Sequence, residues 1–456
     1  MMIPRMLLYG MLSCFVCDLV AEDWRRFRGP GGSGVAVDSS GLPDEWSAST
    51  NVAWKRKLPG PGASSPIIVG DRVFVTCYSG YGVTQEQTSE LESLVRHLLC
   101  FRLSSGELLW QRDVKARLPE DPYYQSGVSS HGYATHTPCS DGEAVYCFFG
   151  KGGVVAFDLA GDRLWQAEVG TQSDPVKWGS SSSPVIAGDL LIVTAAAEDR
   201  AIIGFDKRSG REIWRYESEV LAGMWGTPAL VQVSEQRQDL VMLVPGELWG
   251  LNPTTGKLLW SVEDTGTRQA YTSIVFDAQR VYALAGQGAG SVAVQVSASA
   301  GGGTRPADWK SGVTATYATP VLYGQRLYVI SRGVLAVVDA ETGERLQQQR
   351  LAGTRVIGNK RWGALNYASP VIAGDRLIFL NAAGQVDVFA LEDKLRRIAV
   401  NDMVPPDSEM NEVFWGSPAI SQGRLLIRSS HSLYCIGTPE LAHADGGNTS
   451  GGSPTN

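Results

Sequence analysis

Trp225 to Glu263 reads WGTPALVQVSEQRQDLVMLVPGELWGLNPTTGKLLWSVE. Four short runs rich in Val, Leu and Trp lie within it: Thr227 to Val233, Leu240 to Val244, Glu247 to Leu251 and Leu258 to Val262. Gly, Pro or polar clusters separate them, among them the turn Asn252-Pro253-Thr254-Thr255-Gly256. Runs of this length and composition, bounded by such residues, are predicted strands. A lone four-stranded antiparallel sheet of this size cannot bury both faces. The stretch therefore demands neighbours of its own kind.

The rest of the chain supplies them. A Ser/Thr-Pro pair recurs at Pro66, Pro138, Pro184, Pro228, Pro320, Pro370 and Pro418. Most intervals are roughly 44 to 50 residues. The gap between Pro228 and Pro320 is about twice that, and at its middle Thr272-Ser273 precedes Ile274 in place of a Pro. A second marker runs in phase: Trp54, Trp110, Trp165, Trp214, Trp260 and Trp309, with Gln347 and the Leu395 region taking its place in the last two units. Two independent markers with one period, and four strands per unit, predict an all-β, eight-bladed β-propeller of four-stranded antiparallel blades. The Pro suits a strand that lines the central channel, where a missing N–H breaks no ladder. The six Trp, on outermost strands after Gly turns, are expected to dock one blade on the next.

The ends of the repeat fit one another. Asn51 to Leu58 is an outer strand with its Trp and no three strands before it; Phe414 to Gly437 holds three strands and no fourth. The N-terminal strand is thus expected to complete the C-terminal blade, closing the ring and leaving no open edge. The expected organisation is a signal peptide over 1–21, an N-terminal extension over 22–50, the propeller over 51–437 and a disordered tail over 438–456. The signal rests on Arg5 followed by a mostly apolar run from Met6 to Val20, too short to span a bilayer. Met11-Leu12-Ser13-Cys14 is a poor lipobox. A periplasmic or secreted protein of the cell envelope follows, without a transmembrane segment and acting as a monomer.

Composition excludes other classes. Hydrophobic content of 43% with 19% charged residues is globular. A net charge of −7, with no cluster of Lys and Arg, argues against nucleic acid. Once the signal is removed, Cys77, Cys100, Cys139, Cys147 and Cys435 remain, with no CxxC among them. Cys77 and Cys100 fall on adjacent strands, where a disulfide and two buried thiols are both open readings.

Candidate binding residues come from the loops. Phe27 to Gly34, FRGPGGSG, is a Gly-rich opening suited to packing over one face of the ring; with no strand before it and no helix after, it is not a phosphate loop. Thr84 to Leu98 is predicted to form a short helix in an insertion, and a long loop from Lys115 to His136 contains Tyr123, Tyr124, His131 and His136. Trp-Gly pairs at Trp178, Trp225, Trp362 and Trp415 each precede a channel strand and are expected to gather at one mouth. These eight side chains form the candidate binding face. Two His five apart with no third ligand make no metal site. No GxSxG, HExxH, EF-hand or P-loop is present, so no catalytic residue is assigned.

Leu99 to Trp110 (LCFRLSSGELLW), Ile203 to Trp214 (IGFDKRSGREIW), Trp249 to Trp260 (WGLNPTTGKLLW) and, more weakly, Ala336 to Leu346 (AVVDAETGERL) resemble the PQQ-type repeat. This apolar strand, Asp or Asn, TG-type turn and Trp is similar to the tryptophan-docking motif of eight-bladed quinoprotein alcohol dehydrogenases. It is shared by the non-enzymatic propeller lipoprotein of the outer-membrane β-barrel assembly machinery. The resemblance covers almost the whole mature chain and is specific for the fold rather than the function. The dehydrogenase branch would imply pyrroloquinoline quinone (PQQ) stacked on a Trp, with Trp178, Trp225 or Trp415 as the floor, Ca²⁺ held by Glu and Asn, and an Asp base. No adjacent Cys pair and no CxxCH is present, and no residue matches the ligand or base positions. The expectation is a non-enzymatic binding or assembly scaffold without a cofactor, taking a protein or peptide at one face. The alternatives are a PQQ- and Ca-dependent dehydrogenase of alcohols or sugars, and a glycan-binding propeller.

Overall fold

The structure is a computed structural model that describes residues 22–37, 39, 41–83, 89–123, 131–263, 265–286, 290–296, 303–351, 366–404 and 412–438. Its strands form eight sheets, the blades of a propeller, numbered here in chain order. Blade 4 contains the strands Ala229–Ser234, Arg237–Val244, Glu247–Leu251 and Leu258–Val262 in that order from channel to rim. In blade 8, Val52–Lys57 pairs antiparallel with Ser432–Ile436, so the ring closes by joining the two ends of the chain.

The Ser/Thr before each Pro has a role beyond turn chemistry. The backbone N–H of Ser65 donates to the Thr137 hydroxyl of the next blade, Thr137 to Ser183, Ser183 to Thr227 and Thr227 to Ser273, at 2.9–3.0 Å. Ser273 then donates to Thr319, Thr319 to Ser369, Ser369 to Ser417 and Ser417 back to Ser65, over the same distances. Eight hydrogen bonds thus form a closed girdle around the channel. The unit that lacks its Pro keeps Ser273 because the girdle needs the hydroxyl and the N–H, not the ring.

At the rim the indoles reach across to the following blade. The Nε1 of Trp54, Trp110, Trp165, Trp214 and Trp309 donates to the carbonyls of Leu103, Leu159, Lys207, Pro253 and Ala340, at 2.7–3.1 Å. The ring lies on the glycine of the turn it caps. Gly256 has φ +70°, and a Cβ there would come within 2.3 Å of the Trp214 ring, which is why the turn ends in Gly. Trp260 differs: it donates to Asp239 of its own blade at 2.8 Å, and the Arg305 guanidinium lies 4.5 Å from its centroid. The chain after it takes another course, with Gly303–Thr304 running parallel to the rim strand of blade 4. In blade 6, Gln347 replaces Trp and both donates to the Asp393 carbonyl and accepts from the Leu395 N–H.

Two sequence expectations are corrected and one open reading is decided. In blade 7 the register of the Trp falls on Ala399, not on the Leu395 region; Trp46, from the segment before the closing strand, belongs to the same apolar cluster and supplies the bulk. The predicted helix over Thr84 to Leu98 is a short 3-10 turn, Leu91–Ser93, followed by the strand Val95–Arg102, while residues 84–88 lie outside the described set. The strand prevails because Arg72–Ser79 pairs with its whole length. Cys77 and Cys100 are free and buried: Cys77 faces His97 and Cys100 faces Phe74, three positions apart on the ladder.

Candidate functional site

The channel is closed at one end by the chain itself. Residues Glu22 to Ala36 touch blades on opposite sides of the ring. Ile68 N–H donates to the Trp24 carbonyl, Ser140 N–H to Arg25, and Ile372 N–H to Gly34, at 2.8–2.9 Å. From the middle of the segment the Arg28 guanidinium donates to the carbonyls of Thr319 and Pro320 at 2.8 and 2.6 Å. Arg28 is 1% exposed and has only backbone carbonyls around it, so burial lowers its pKa to about 9. Gly29, with φ +63°, lets the segment turn against the Trp24 ring, where a Cβ would sit 2.4 Å away. The glycines of FRGPGGSG thus serve close packing over one face. Ile68, Ser140 and Ile372 each lie two residues after the Pro of their strand, and Arg28 bonds the carbonyls on either side of the Thr319–Pro320 peptide, so the segment sits beyond the hydroxyl girdle.

On the other side of the girdle the channel widens into a bowl of about 240 Å³. Phe27 and the girdle residues line it together with the side chains three positions before each Pro. Those side chains are Trp225, Tyr271, Tyr317, Tyr367 and Trp415 in blades 4 to 8, and Ala63, Thr135 and Ser181 in blades 1 to 3. The rings form a continuous arc. Trp178–Trp225, Trp225–Tyr271, Tyr271–Tyr317 and Tyr317–Tyr367 have centroids 5.5, 5.1, 4.9 and 4.7 Å apart, and Tyr367–Trp415 6.1 Å. Trp225 Nε1 donates to the Gly179 carbonyl at 2.7 Å, which ties the arc to the loop carrying Trp178. His131 faces the same bowl, its Nδ1 2.6 Å from Thr135 Oγ1, and desolvation lowers its pKa to about 4, leaving it neutral. Among the described residues, none that lines the bowl is a Lys, Arg, Asp or Glu.

Of the candidate binding face, Trp178, Trp225, Trp415 and His131 meet at the bowl. Tyr123 does not: it packs with Tyr78, Tyr81 and Tyr133 under the blade 1 insertion. Tyr124 and Trp362 lie outside the described residues. His136 is in a second chamber, described below. Tyr271, Tyr317 and Tyr367 were missed, although YTSI, YATP and YASP place each at the register of the Trp in WGTP and WGSP. The Trp-Gly pair hid a signal that only the aromatic ring carries.

Behind the small-residue sector, a chamber of about 40 Å³ shares His131, Thr135 and Trp178 with the bowl. It holds buried ion pairs, Arg96–Glu120 at 2.7 Å and Lys151–Asp121 at 2.9 Å. His136 Nε2 is 2.9 Å from Ser180 Oγ, which donates to Glu198 Oε1 at 2.5 Å. Burial lowers His136 to about 3 and raises Glu198 to about 7. Serine stands between histidine and carboxylate here, so the histidine is not oriented by the carboxylate as in a nucleophilic triad. These residues come from three blades and two loops, which no local spacing reveals.

The sequence matches the family of outer membrane protein assembly factor BamB over residues 31–175 and 105–349. The chain belongs to this family. Among curated proteins no sequence matches. The fold is shared with BamB from Moraxella catarrhalis, at 15% identity and TM-score 0.57, covering 86% of this chain and 98% of that one. It is shared also with a europium-containing methanol dehydrogenase, at 10% identity and TM-score 0.58, covering 91% and 98%. A third structure, the quinohemoprotein alcohol dehydrogenase from Comamonas testosteroni, is 10% identical with TM-score 0.62, covering 92% and 82%. The same fold thus occurs in an assembly factor and in enzymes, and the fold alone does not distinguish them.

PQQ is a tricarboxylate, and among the described residues no cation lines the bowl. Nor do three His, Cys, Asp or Glu converge on a metal-sized site among the described residues.

Proposed function

We propose that the chain is an exported, non-catalytic binding scaffold of the cell envelope that takes a segment of a partner protein at the aromatic mouth. One observation carries this reading: the channel is sealed at one end by the N-terminal segment and opens at the other into a bowl whose described residues are stacked rings and hydroxyls. Such a bowl buries apolar side chains and offers hydroxyls to a backbone, as protein-binding pockets do. Family membership supports an envelope role, and residues 1–21 support export. No helix among the described residues is long and apolar enough to cross a membrane.

The glycan reading gains less. In the stacked pairs Trp225–Tyr271 and Tyr317–Tyr367 each ring gives a face to its neighbour instead of to a sugar. Site-specific photo-crosslinking in cells tests the proposal. A crosslinking residue in place of Tyr317 should give a discrete protein adduct, and one in place of Leu164, exposed on a rim strand, should not. Equal adducts at both positions refute the mouth as the docking site. Dye-linked oxidation of alcohols after loading with PQQ and Ca²⁺ refutes the non-catalytic reading.

A further inference from the structure

The bowl is lopsided, and its low side backs onto charge. Blades 4 to 8 present aromatic rings and blades 1 to 3 present Ala63, Thr135 and Ser181; on that side the chamber shares Thr135, His131 and Trp178 with the bowl as a common wall. Within the chamber, Arg96 is paired with Glu120 and Lys151 with Asp121. Glu198 is the carboxyl left over. It is 3% exposed, its Oε1 accepts from Ser180, and its Oε2 has no hydrogen-bond partner. A buried carboxylate oxygen without a donor is costly. With the two pairs cancelling and both histidines neutral, the ionised chamber carries one negative charge, on Glu198; His136 Nδ1, Glu120 Oε1 and Arg96 Nη1 likewise make no hydrogen bond, but Glu120 and Arg96 are joined in an ion pair. Its complement is a compact cation that donates hydrogen bonds. An ammonium head is about the size of a water molecule and suits so small a space. The arc of rings favours a cation on its way in and covers an aliphatic stem.

We propose that the chamber seats a primary ammonium group, that of a lysine side chain on the partner segment, with its stem in the bowl beside Trp178 and its ammonium donating to Glu198. This rests on the mouth being the docking site. Glu198 faces Ser180, His136 and Lys151, with Glu120 nearby, and burial outweighs them to hold its pKa at about 7. Below that pH an ammonium must displace a proton, so affinity falls by about tenfold per pH unit.

Calorimetry on the mature chain tests this with three probes: a capped pentapeptide with one central lysine between leucines, the same peptide with the lysine acetylated, and n-butylamine. The lysine peptide should bind at least tenfold more tightly than its acetylated twin at pH 8. Glu198→Gln, which keeps an acceptor for Ser180, should abolish that difference while the protein melts normally. Equal affinity of the twins in the unaltered protein, or a preference that persists in Glu198→Gln, overturns the ammonium site. Butylamine binding as tightly as the peptide overturns the peptide as its source. If Trp225→Ala leaves every probe's affinity unchanged, the docking reading itself fails.

Discussion

Trp214 shows what one residue contributes at the rim. It is 8% exposed, donates to the Pro253 carbonyl and lies on Gly256 of the next blade. Trp214→Ala should destabilise the protein by about 3–5 kcal/mol in chemical denaturation. Trp165 makes the same kind of hydrogen bond but is less buried, so Trp165→Ala should cost less. In the side chamber the titrating residues oppose one another. Glu198 has a folded pKa of about 7 against an ordinary 4.5, so its contribution to stability is complete below about pH 4.5 and is lost as pH rises through 7. His136, lowered from 6.5 to about 3, contributes stability that is present above pH 6.5 and lost as pH falls toward 3. Glu198→Gln should therefore lose less stability than the unaltered protein between pH 5 and 8, by about 3 kcal/mol at most. Denaturation midpoints across that range check it; parallel curves would mean that Glu198 is ionised throughout.

At the scale of the element, the channel strands are held by their first residues. Ser183 accepts from Thr137 N–H and donates its own N–H to Thr227. Ser183→Ala leaves the Thr137 amide without its partner and should cost about 1–3 kcal/mol, whereas Ser183→Thr keeps the girdle intact and should cost little. Thermal melts of the two variants separate a hydrogen-bond role from a packing role. The girdle also shows how much of an element was legible. A Ser or Thr before each Pro was visible and the period followed from it. That eight such hydroxyls receive amides from their neighbours was not, because each bond spans a whole blade. Gln347 is a similar case: a polar side chain at a Trp position reads as decay of the repeat, yet its amide makes the interblade contact from both ends.

At the scale of the whole molecule, closure and sealing are separate uses of the same N-terminal region. Val52–Lys57 completes blade 8, and Glu22 to Ala36 crosses the channel. Removing residues 22–58 exposes the Ser432–Ile436 edge and should abolish cooperative folding. A soluble truncation that melts in one sharp transition would contradict it. The asymmetry of the bowl belongs to this scale as well. Three small blades and five aromatic ones, in that order around the ring, give the mouth an aromatic side and a side that shares Thr135, His131 and Trp178 with the chamber of Glu198.

The sequence by itself determined the blade count, the strand order within each blade and the pairing of the two ends, because each rests on a pattern repeated along the chain. It also placed Trp225 and Trp415 at one mouth, since each stands three residues before the Pro of its channel strand and position within a repeat fixes height along the channel. Only the tertiary structure decided which end is sealed, that Tyr123 turns away, and that Glu198, Ser180 and His136 meet. Those outcomes depend on contacts between blades and loops far apart in the chain, and no periodicity records them.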